Sequence, residues 1–428
     1  MTRILFLTNM YPPHHFGGYE LQCEDIVSRF RERGHDCTVL TSTVRLPDVA
    51  DPVGERAAGV RRDLRIYWDA HRMIRAGLVE RARIERHNQR ALQSALAEFR
   101  PDVVSVWHMG AMSLGLIRSV RQAGTPMVFV VCDDWLCYAS QVDGWTSMFA
   151  NRPGLTKFAR PLVEGFTRLP VGTGDIGSDG PFLFVSRRTM ETAARDSPWR
   201  FPDATVVYSG IDAGIFTRPA DEASRPWRWR LLCAGRIDAR KGIDTAIRAL
   251  TRLPPEATLA VVGRGDDRIL DQLHELAASL GVAGRITWAV TDRSGLADEY
   301  AAADAFVFPV TWEEPFGLVP LEAMASGTPV VATARGGSAE FLVDGVNCVR
   351  FAADDDASLA AALHQVAEDA DLRARLVAAG RRTAAELTID RLADVLEDWH
   401  TGAATRFANG RPTERPRIET LLGPSPQD

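Results

Sequence analysis

A chain of 428 residues is too long for one compact core and is expected to form two domains of ordinary size. With 46% hydrophobic and 25% charged residues and a formal net charge of −6, it has the make-up of a globular protein and not of one built to coat nucleic acid. MTRILFLTNM turns polar by Thr8 without a signal-peptide core, no apolar run is long enough to cross a bilayer, and the six cysteines lack CxxC pairs or metal-ligand spacing; reduced thiols in a cytoplasmic protein are the expectation.

Short aliphatic runs alternate with amphipathic stretches almost throughout, which predicts α/β architecture with parallel sheets. The run 4–7 opens the series and is followed by a loop holding Pro12, Pro13, Gly17 and Gly18. A helix comes next, in which Tyr19, Cys23, Ile26, Val27 and Phe30 recur at helical spacing until Gly34 stops it. Further strands are expected over 37–40, 103–107, 127–131, 182–185 and 205–208, and the arginine-rich stretch 72–100 reads as a solvated helix packed on its domain. That stretch also suits peripheral contact with an anionic membrane surface. A second series of strands is expected over 231–234, 258–262, 285–289, 305–308 and 329–332, with helices between them. The boundaries that follow are a first domain over 1–211, a Pro-, Trp- and charge-rich linker over 212–230, a second domain over 231–386, and a helix over 387–400 packing back toward the first domain. The Pro-containing tail 401–428 reads as disordered. Two doubly wound halves facing across a deep cleft are therefore the expected architecture, with ligands at the C-terminal ends of strands.

The loops at those strand ends carry the informative residues. GRIDARKG, from Gly235 to Gly242, holds one of only two lysines in the sequence, Lys241, beside Arg236 and Arg240; the other is Lys157. Gly235 permits a tight turn, and Arg236 with Lys241 would set two cations beside a helix N-terminus, a combination that suits a diphosphate. A solvated charged turn is the competing account. EPFGLVPLE, from Glu314 to Glu322, leads into a helix with Pro320 and Glu322 in its first turn and Gly327 beyond its end. Both glutamates would accept from ligand hydroxyls, or serve as a dipole partner and a solvated loop residue. RGGSAE places Gly336 and Gly337 where free N–H groups suit an anion. Gly17 and Gly18 occupy the matching place in the first domain.

Taken in order, these segments resemble the retaining glycosyltransferases of the GT-B fold, family 4. GRIDARKG is similar to that family's GRxxxxKG segment, and Glu314 to Glu322 matches its E-x7-E motif. The likeness continues through TPVVATARGGSAEFLVDGVNCV and is weaker in YPPHHFGGYE, RPDVVSVWH and VVYSGIDAGIF. The resemblance implies an N-terminal domain that binds a hydroxyl acceptor and a C-terminal domain that binds a nucleotide sugar of UDP or GDP type. It implies that Arg236 and Lys241 hold the diphosphate, that Glu322 accepts from the ribose, and that Glu314 contacts the sugar with backbone groups of Phe316, Gly317 and Leu318 nearby. Gly17 and Gly18 would offer N–H groups, Gly235 the turn, and Gly263 a wall beside the base. A front-face, metal-independent transfer with retention is implied, with no cofactor, no nucleic-acid partner, and a natural product, saccharide or lipid-linked acceptor.

Two departures stand out. Many relatives carry a histidine after the strand matching 127–131, where this chain has Cys132 followed by Asp133 and Asp134; the histidine contact is expected to be either missing or replaced by Asp133, with His108 as a further acceptor-side candidate. Ser209 stands where relatives often carry asparagine. Asp354–Asp356 and 369–371 read as solvated helix surface, not as a metal-binding D-x-D. The alternatives to a transferase are a sugar-nucleotide epimerase of the same architecture, a non-catalytic nucleotide-sugar binder and a phosphorolytic enzyme.

Overall fold

The computed structural model describes residues 1–47, 49–69, 72–74, 76–150, 161–217 and 226–408. Its internal contacts divide the described chain into two compact units, one of residues Met1–Val207 joined by Ala393–Ala408, the other of Tyr208–Leu392.

The strands of unit 1 are β1 (Arg3–Leu7), β2 (Asp36–Ser42), β3 (Val60–Leu64), the short antiparallel pair β4 (Trp68–Asp69) and β5 (Arg72–Met73), β6 (Val103–Val106), β7 (Met127–Val131), β8 (Phe182–Phe184) and β9 (Ala204–Val206). All except β4 and β5 form one parallel sheet in the order β3-β2-β1-β6-β7-β8-β9. Ile4 through Leu7, Val104, Val106 and Phe129 have no exposed surface, which is why these strands read as unbroken apolar runs. Within Met1–Val207 the described helices of eight residues or more are α1 (Gly18–Glu32), α2 (Leu78–Phe99), α3 (Gly115–Gln122), α4 (Trp135–Val142) and α5 (Arg187–Asp196). In α1 the spacing of Cys23, Ile26, Val27 and Phe30 puts all four on the buried face. Strand order reverses at β1, with β2 on one side and β6 on the other. Loops leaving the two strand ends diverge at such a point and open a crevice.

Unit 2 repeats the plan with β10 (Arg230–Ala234), β11 (Thr258–Val262), β12 (Ile286–Ala289), β13 (Ala305–Phe308), β14 (Val330–Ala332) and β15 (Val349–Arg350). The sheet is parallel, in the order β12-β11-β10-β13-β14-β15, so the reversal falls between β10 and β13. Its helices are α6 (Ile243–Ala249), α7 (Asp267–Ser279), α8 (Arg293–Ala302), α9 (Leu318–Ala325), α10 (Asp356–Glu368) and α11 (Ala370–Glu386). Asp266, Asp292, Asp355 and Asp369 each accept a backbone N–H from the first turn of α7, α8, α10 and α11. The late aspartates thus close helix ends, and Asp356 pairs with Arg252.

The last helix, α12 (Ile389–Ala408), runs from unit 2 into unit 1. Within unit 1, Arg33 pairs with Asp394 and Glu397 at 2.7 Å each, and His35 Nε2 meets Glu397 Oε1 at 2.8 Å. His400 is fully buried, with Nδ1 2.5 Å from the Leu396 carbonyl oxygen and Nε2 2.8 Å from Ser105 Oγ. Trp107 Nε1 donates to the same Ser105 hydroxyl at 3.0 Å. The hydroxyl therefore accepts from Trp107 and gives its own proton to His400 Nε2, an arrangement that only a neutral imidazole satisfies. Burial lowers the His400 pKa to about 4.

Several expectations are revised. The helix expected over 72–100 starts only at Leu78, because Arg72–Met73 pairs with Trp68–Asp69 as β5 and β4. Its Arg83, Arg86 and Arg90 are exposed as expected, but its buried face is partly polar. Asn88 bonds both the N–H and the carbonyl of Arg65 at 2.8 Å, and the hydroxyls of Tyr67 and Ser113 donate to Glu85. Burial, with Asp143 nearby, pushes the Glu85 pKa up to about 8. β3 was hidden by charge: Arg61 and Arg62 are buried against Asp63, Glu98 and Glu55. Helix α12 continues past the expected end at His400, since the Thr401 hydroxyl satisfies the Glu397 carbonyl and Ala403 is buried. The remaining tail, 409–428, lies outside the described residues, as do Lys157 and residues 218–225 of the linker. Elsewhere in that linker Ala213–Phe216 forms a helical turn with Phe216 buried.

Candidate active site

In unit 2 the chain leaves β10 through Gly235, whose φ of 116° is open to glycine only. The next residues zip against the loop leaving β11: Ile237 N–H donates to the Arg264 carbonyl at 2.8 Å. Gly263 lies so close that a Cβ there would stand 1.9 Å from the Gly235 carbonyl oxygen. Asp238 then caps the short turn Ala239–Lys241, accepting from Arg240 N–H at 2.9 Å. Gly242, at φ 63°, ends the turn where a Cβ would fall 2.0 Å from the Pro309 carbonyl oxygen. Lys241 is thereby pinned opposite the exit of β13.

From that exit comes Glu314. Its Oε2 accepts from Lys241 Nζ and from Trp312 Nε1, at 2.8 Å each. The Arg240 guanidinium lies 4.2 Å from the centre of the Trp312 ring. Gly235, Arg236 and Lys241 line one pocket with Phe308, Pro309 and Val310. Arg236 is more open, with 41% of its side chain exposed, and its Nε donates to Asp238 at 3.0 Å. The two expected cations thus face one pocket, each opposed by a carboxylate. Hydrogen bonding from Arg240, with both arginines close by, outweighs burial and holds the Asp238 pKa below the usual carboxylate range.

The rest of EPFGLVPLE supports this arrangement from behind. Phe316 is buried against the rings of Tyr208 and Phe341, so its side chain belongs to the core. Gly317, at φ 97°, precedes Leu318, the first residue of α9. Glu322 is the fifth residue of α9, in its second turn and not its first as expected, and it accepts from the buried Tyr300 hydroxyl at 2.9 Å. The Gly337 N–H, expected to be open to an anion, donates instead to the Glu314 carbonyl at 2.7 Å. Gly336 sits where a Cβ would come within 2.5 Å of that carbonyl oxygen. The glycine pair seats the Glu314 loop.

In unit 1 the loop leaving β1 ends at Gly17 and Gly18. The Gly17 N–H, expected to face a ligand, donates to Glu20 Oε2 at 3.0 Å, and Phe16 N–H donates to Oε1 at 3.2 Å. Glu20 is fully buried, and burial raises its pKa against the pull of those donors. The two acceptor-side candidates prove to be partners: His108 Nε2 is 2.9 Å from Asp133 Oδ2. Because His108 Nδ1 accepts from Gly110 N–H at 3.1 Å, the neutral ring carries its proton on Nε2, toward Asp133. The Tyr138 hydroxyl stands 3.1 Å from the same nitrogen, and the Tyr19 ring stacks on His108 at 4.7 Å. Burial would raise the Asp133 pKa, but His108 and the donors Trp135 N–H and Tyr138 OH bring it below the usual range. Cys132 lies 3.5 Å from Gln22 Oε1, and burial pushes its thiol well up, so it stays protonated.

No site role for Trp312, Glu20, Tyr138 or Asp238 is legible in the sequence, which shows Tyr19 only as part of the helical spacing of α1. Trp312 stands two residues before Glu314, and Tyr138 lies on α4 one turn beyond Asp134, but proximity in sequence says nothing of which way a ring points. Among the described residues no group of three or more His, Cys, Asp or Glu side chains is placed to hold a metal ion. Among the same residues no helix is long and apolar enough to cross a membrane.

Two family models match the chain: glycosyl transferases group 1 over residues 217–383, and the glycosyl transferase 4-like domain over residues 17–163. The D-inositol 3-phosphate glycosyltransferase of Stackebrandtia nassauensis is 35% identical over 58% of this chain; the match spans about 60% of that relative's length. The glycogen synthase of Mycobacterium tuberculosis is 29% identical over 94% of this chain and 92% of its own. Among solved structures, Anabaena Alr3699/HepE in complex with UDP and glucose is similar with a TM-score of 0.67 and 20% identity, covering 93% of this chain and 99% of that one. Sucrose-phosphate synthase from Thermosynechococcus elongatus is similar with a TM-score of 0.69 and 19% identity, covering 96% and 100%. These likenesses fix the fold as GT-B.

Proposed function

The chain belongs to the group 1, family 4-like glycosyltransferases of GT-B fold, and from that premise we propose that it moves a sugar from a nucleoside-diphosphate donor to a hydroxyl acceptor, with retention and without a metal. The observation that carries the reading is the meeting of Lys241 with Glu314 at the switch point of unit 2, beside a pocket that Arg236 also lines. In this reading Lys241 and Arg236 hold the diphosphate and offset the charge that grows on it as the glycosidic bond breaks. Glu314 accepts from sugar hydroxyls, Glu322 from the ribose, and backbone groups of Phe316, Gly317 and Leu318 line the sugar. Gly235 makes the turn, Gly263 forms the wall beside the base, and Gly17 and Gly18 let unit 1 backbone approach the donor. The departing phosphate takes the acceptor's proton on the same face, so no side chain forms a covalent intermediate. The Asp133–His108 pair orients the acceptor hydroxyl or shares its proton.

UDP sugars are the first donors to test and GDP sugars the second; the acceptor class is a saccharide, natural product or lipid-linked hydroxyl. Thermal stabilisation by a panel of nucleotide sugars identifies the donor. Release of nucleoside diphosphate that depends on acceptor then separates a transferase from an epimerase, and from a binder that releases none. Release at the same rate without acceptor would overturn the proposal. All six cysteines are free, which supports a cytoplasmic location; recovery in the membrane-external fraction of a fractionated cell would refute it.

A further inference from the structure

Glu314 is only 8% exposed, and its Oε2 has two donors of different kinds. Lys241 is the one that a diphosphate competes for. When its ammonium turns toward phosphate oxygens, a buried carboxylate with no other donor would be left desolvated and free to rotate, a costly outcome. Trp312 prevents it. Its indole carries no charge for a diphosphate to attract, its N–H already points at Glu314 Oε2, and its ring is held by the Arg240 guanidinium at 4.2 Å. The backbone on either side is fixed as well: Thr311 N–H donates to the Arg240 carbonyl at 2.9 Å, and the Glu314 carbonyl accepts from Gly337 N–H at 2.7 Å.

We propose that Trp312 is a positioning residue that keeps Glu314 Oε2 engaged while Lys241 serves the diphosphate, leaving Oε1 to a hydroxyl of the donor sugar. The inference rests on the reading of Glu314 as the sugar-side acceptor. It assigns Trp312 to recognition of the sugar and not of the nucleotide. A residue that only filled space in the loop would weaken both together.

Calorimetric titrations with two matched pairs, UDP with UDP-glucose and GDP with GDP-mannose, test this on wild type, Trp312→Phe and Trp312→His. Phenylalanine keeps a ring for Arg240 and removes the N–H, while histidine restores a ring donor. For the pair that wild type binds, W312F should weaken the nucleotide sugar about tenfold and leave the nucleoside diphosphate within twofold. W312H should recover part of the loss, which also carries the test if W312F fails to fold. Equal weakening of both members of the pair, or no weakening of either, overturns the role of Trp312 while leaving the proposed function intact. Failure of wild type to bind either pair overturns both.

Discussion

The two switch points use different materials. In unit 2, Lys241, Arg236, Glu314 and Asp238 stand on loops shaped by left-handed glycines, and each cation has a carboxylate partner. In unit 1, a histidine of fixed tautomer sits in a cage of rings and hydroxyls directly after β6 and β7. Ion pairs on a pocket wall can exchange partners with an anion that comes and goes. A stacked, multiply bonded imidazole cannot leave its place, but it can keep an acceptor hydroxyl aligned. Under the proposed function, the difference assigns charge management to one unit and orientation to the other.

The strongest way to break this division is Lys241→Ala. Turnover should fall roughly 10²- to 10³-fold, about 3–4 kcal/mol of transition-state stabilisation, with a melting temperature close to wild type; near-normal steady-state rates would sink the clamp. Gly263→Ala tests the backbone beneath that clamp. Its Cβ would meet the Gly235 carbonyl oxygen at 1.9 Å with φ at 155°, so unit 2 should lose about 3 kcal/mol or more in denaturant unfolding. A neutral effect would show that the two loops separate freely.

A gentler probe concerns β6, the strand that delivers His108 and also bonds His400. With the His400 pKa held at about 4 against 6.5 in an unfolded chain, its contribution to stability is fully present above pH 6.5. It falls as pH drops toward 4, by roughly 2–4 kcal/mol in all. His400→Gln should flatten that part of a urea-denaturation pH profile, and an unchanged slope would contradict the buried neutral ring. The smallest expected effect is Asp133→Asn, about tenfold in kcat with donor KM unaltered. A change confined to donor KM would move Asp133 to the other side of the division.

Much of this was legible in the sequence. Periodicity located the long strands and the core face of α1, because Cys23, Ile26, Val27 and Phe30 are buried by the rule that predicted them. GRIDARKG and EPFGLVPLE marked the unit 2 site because its chemistry lies in short contiguous loops. What stayed hidden depends on long-range pairing. VRRDL reads as surface until Glu55 and Glu98 are known to meet its arginines. Gly17 and Gly337 read as open donors until Glu20 and Glu314 are seen to accept from them. Cys132 stands where many relatives carry histidine, and no feature of the sequence shows that His108, which follows the neighbouring strand, meets Asp133.

The discontinuity of unit 1 has a consequence for biosynthesis. Ser105 emerges from the ribosome nearly three hundred residues before His400, and Phe6 and Phe30 earlier still, yet His400 packs on all three. The first lobe therefore waits, one apolar flank uncovered, through translation of the entire second lobe. Expressed alone, a fragment ending at Val207 should aggregate or recruit chaperones, and a peptide carrying α12 supplied in trans should rescue it.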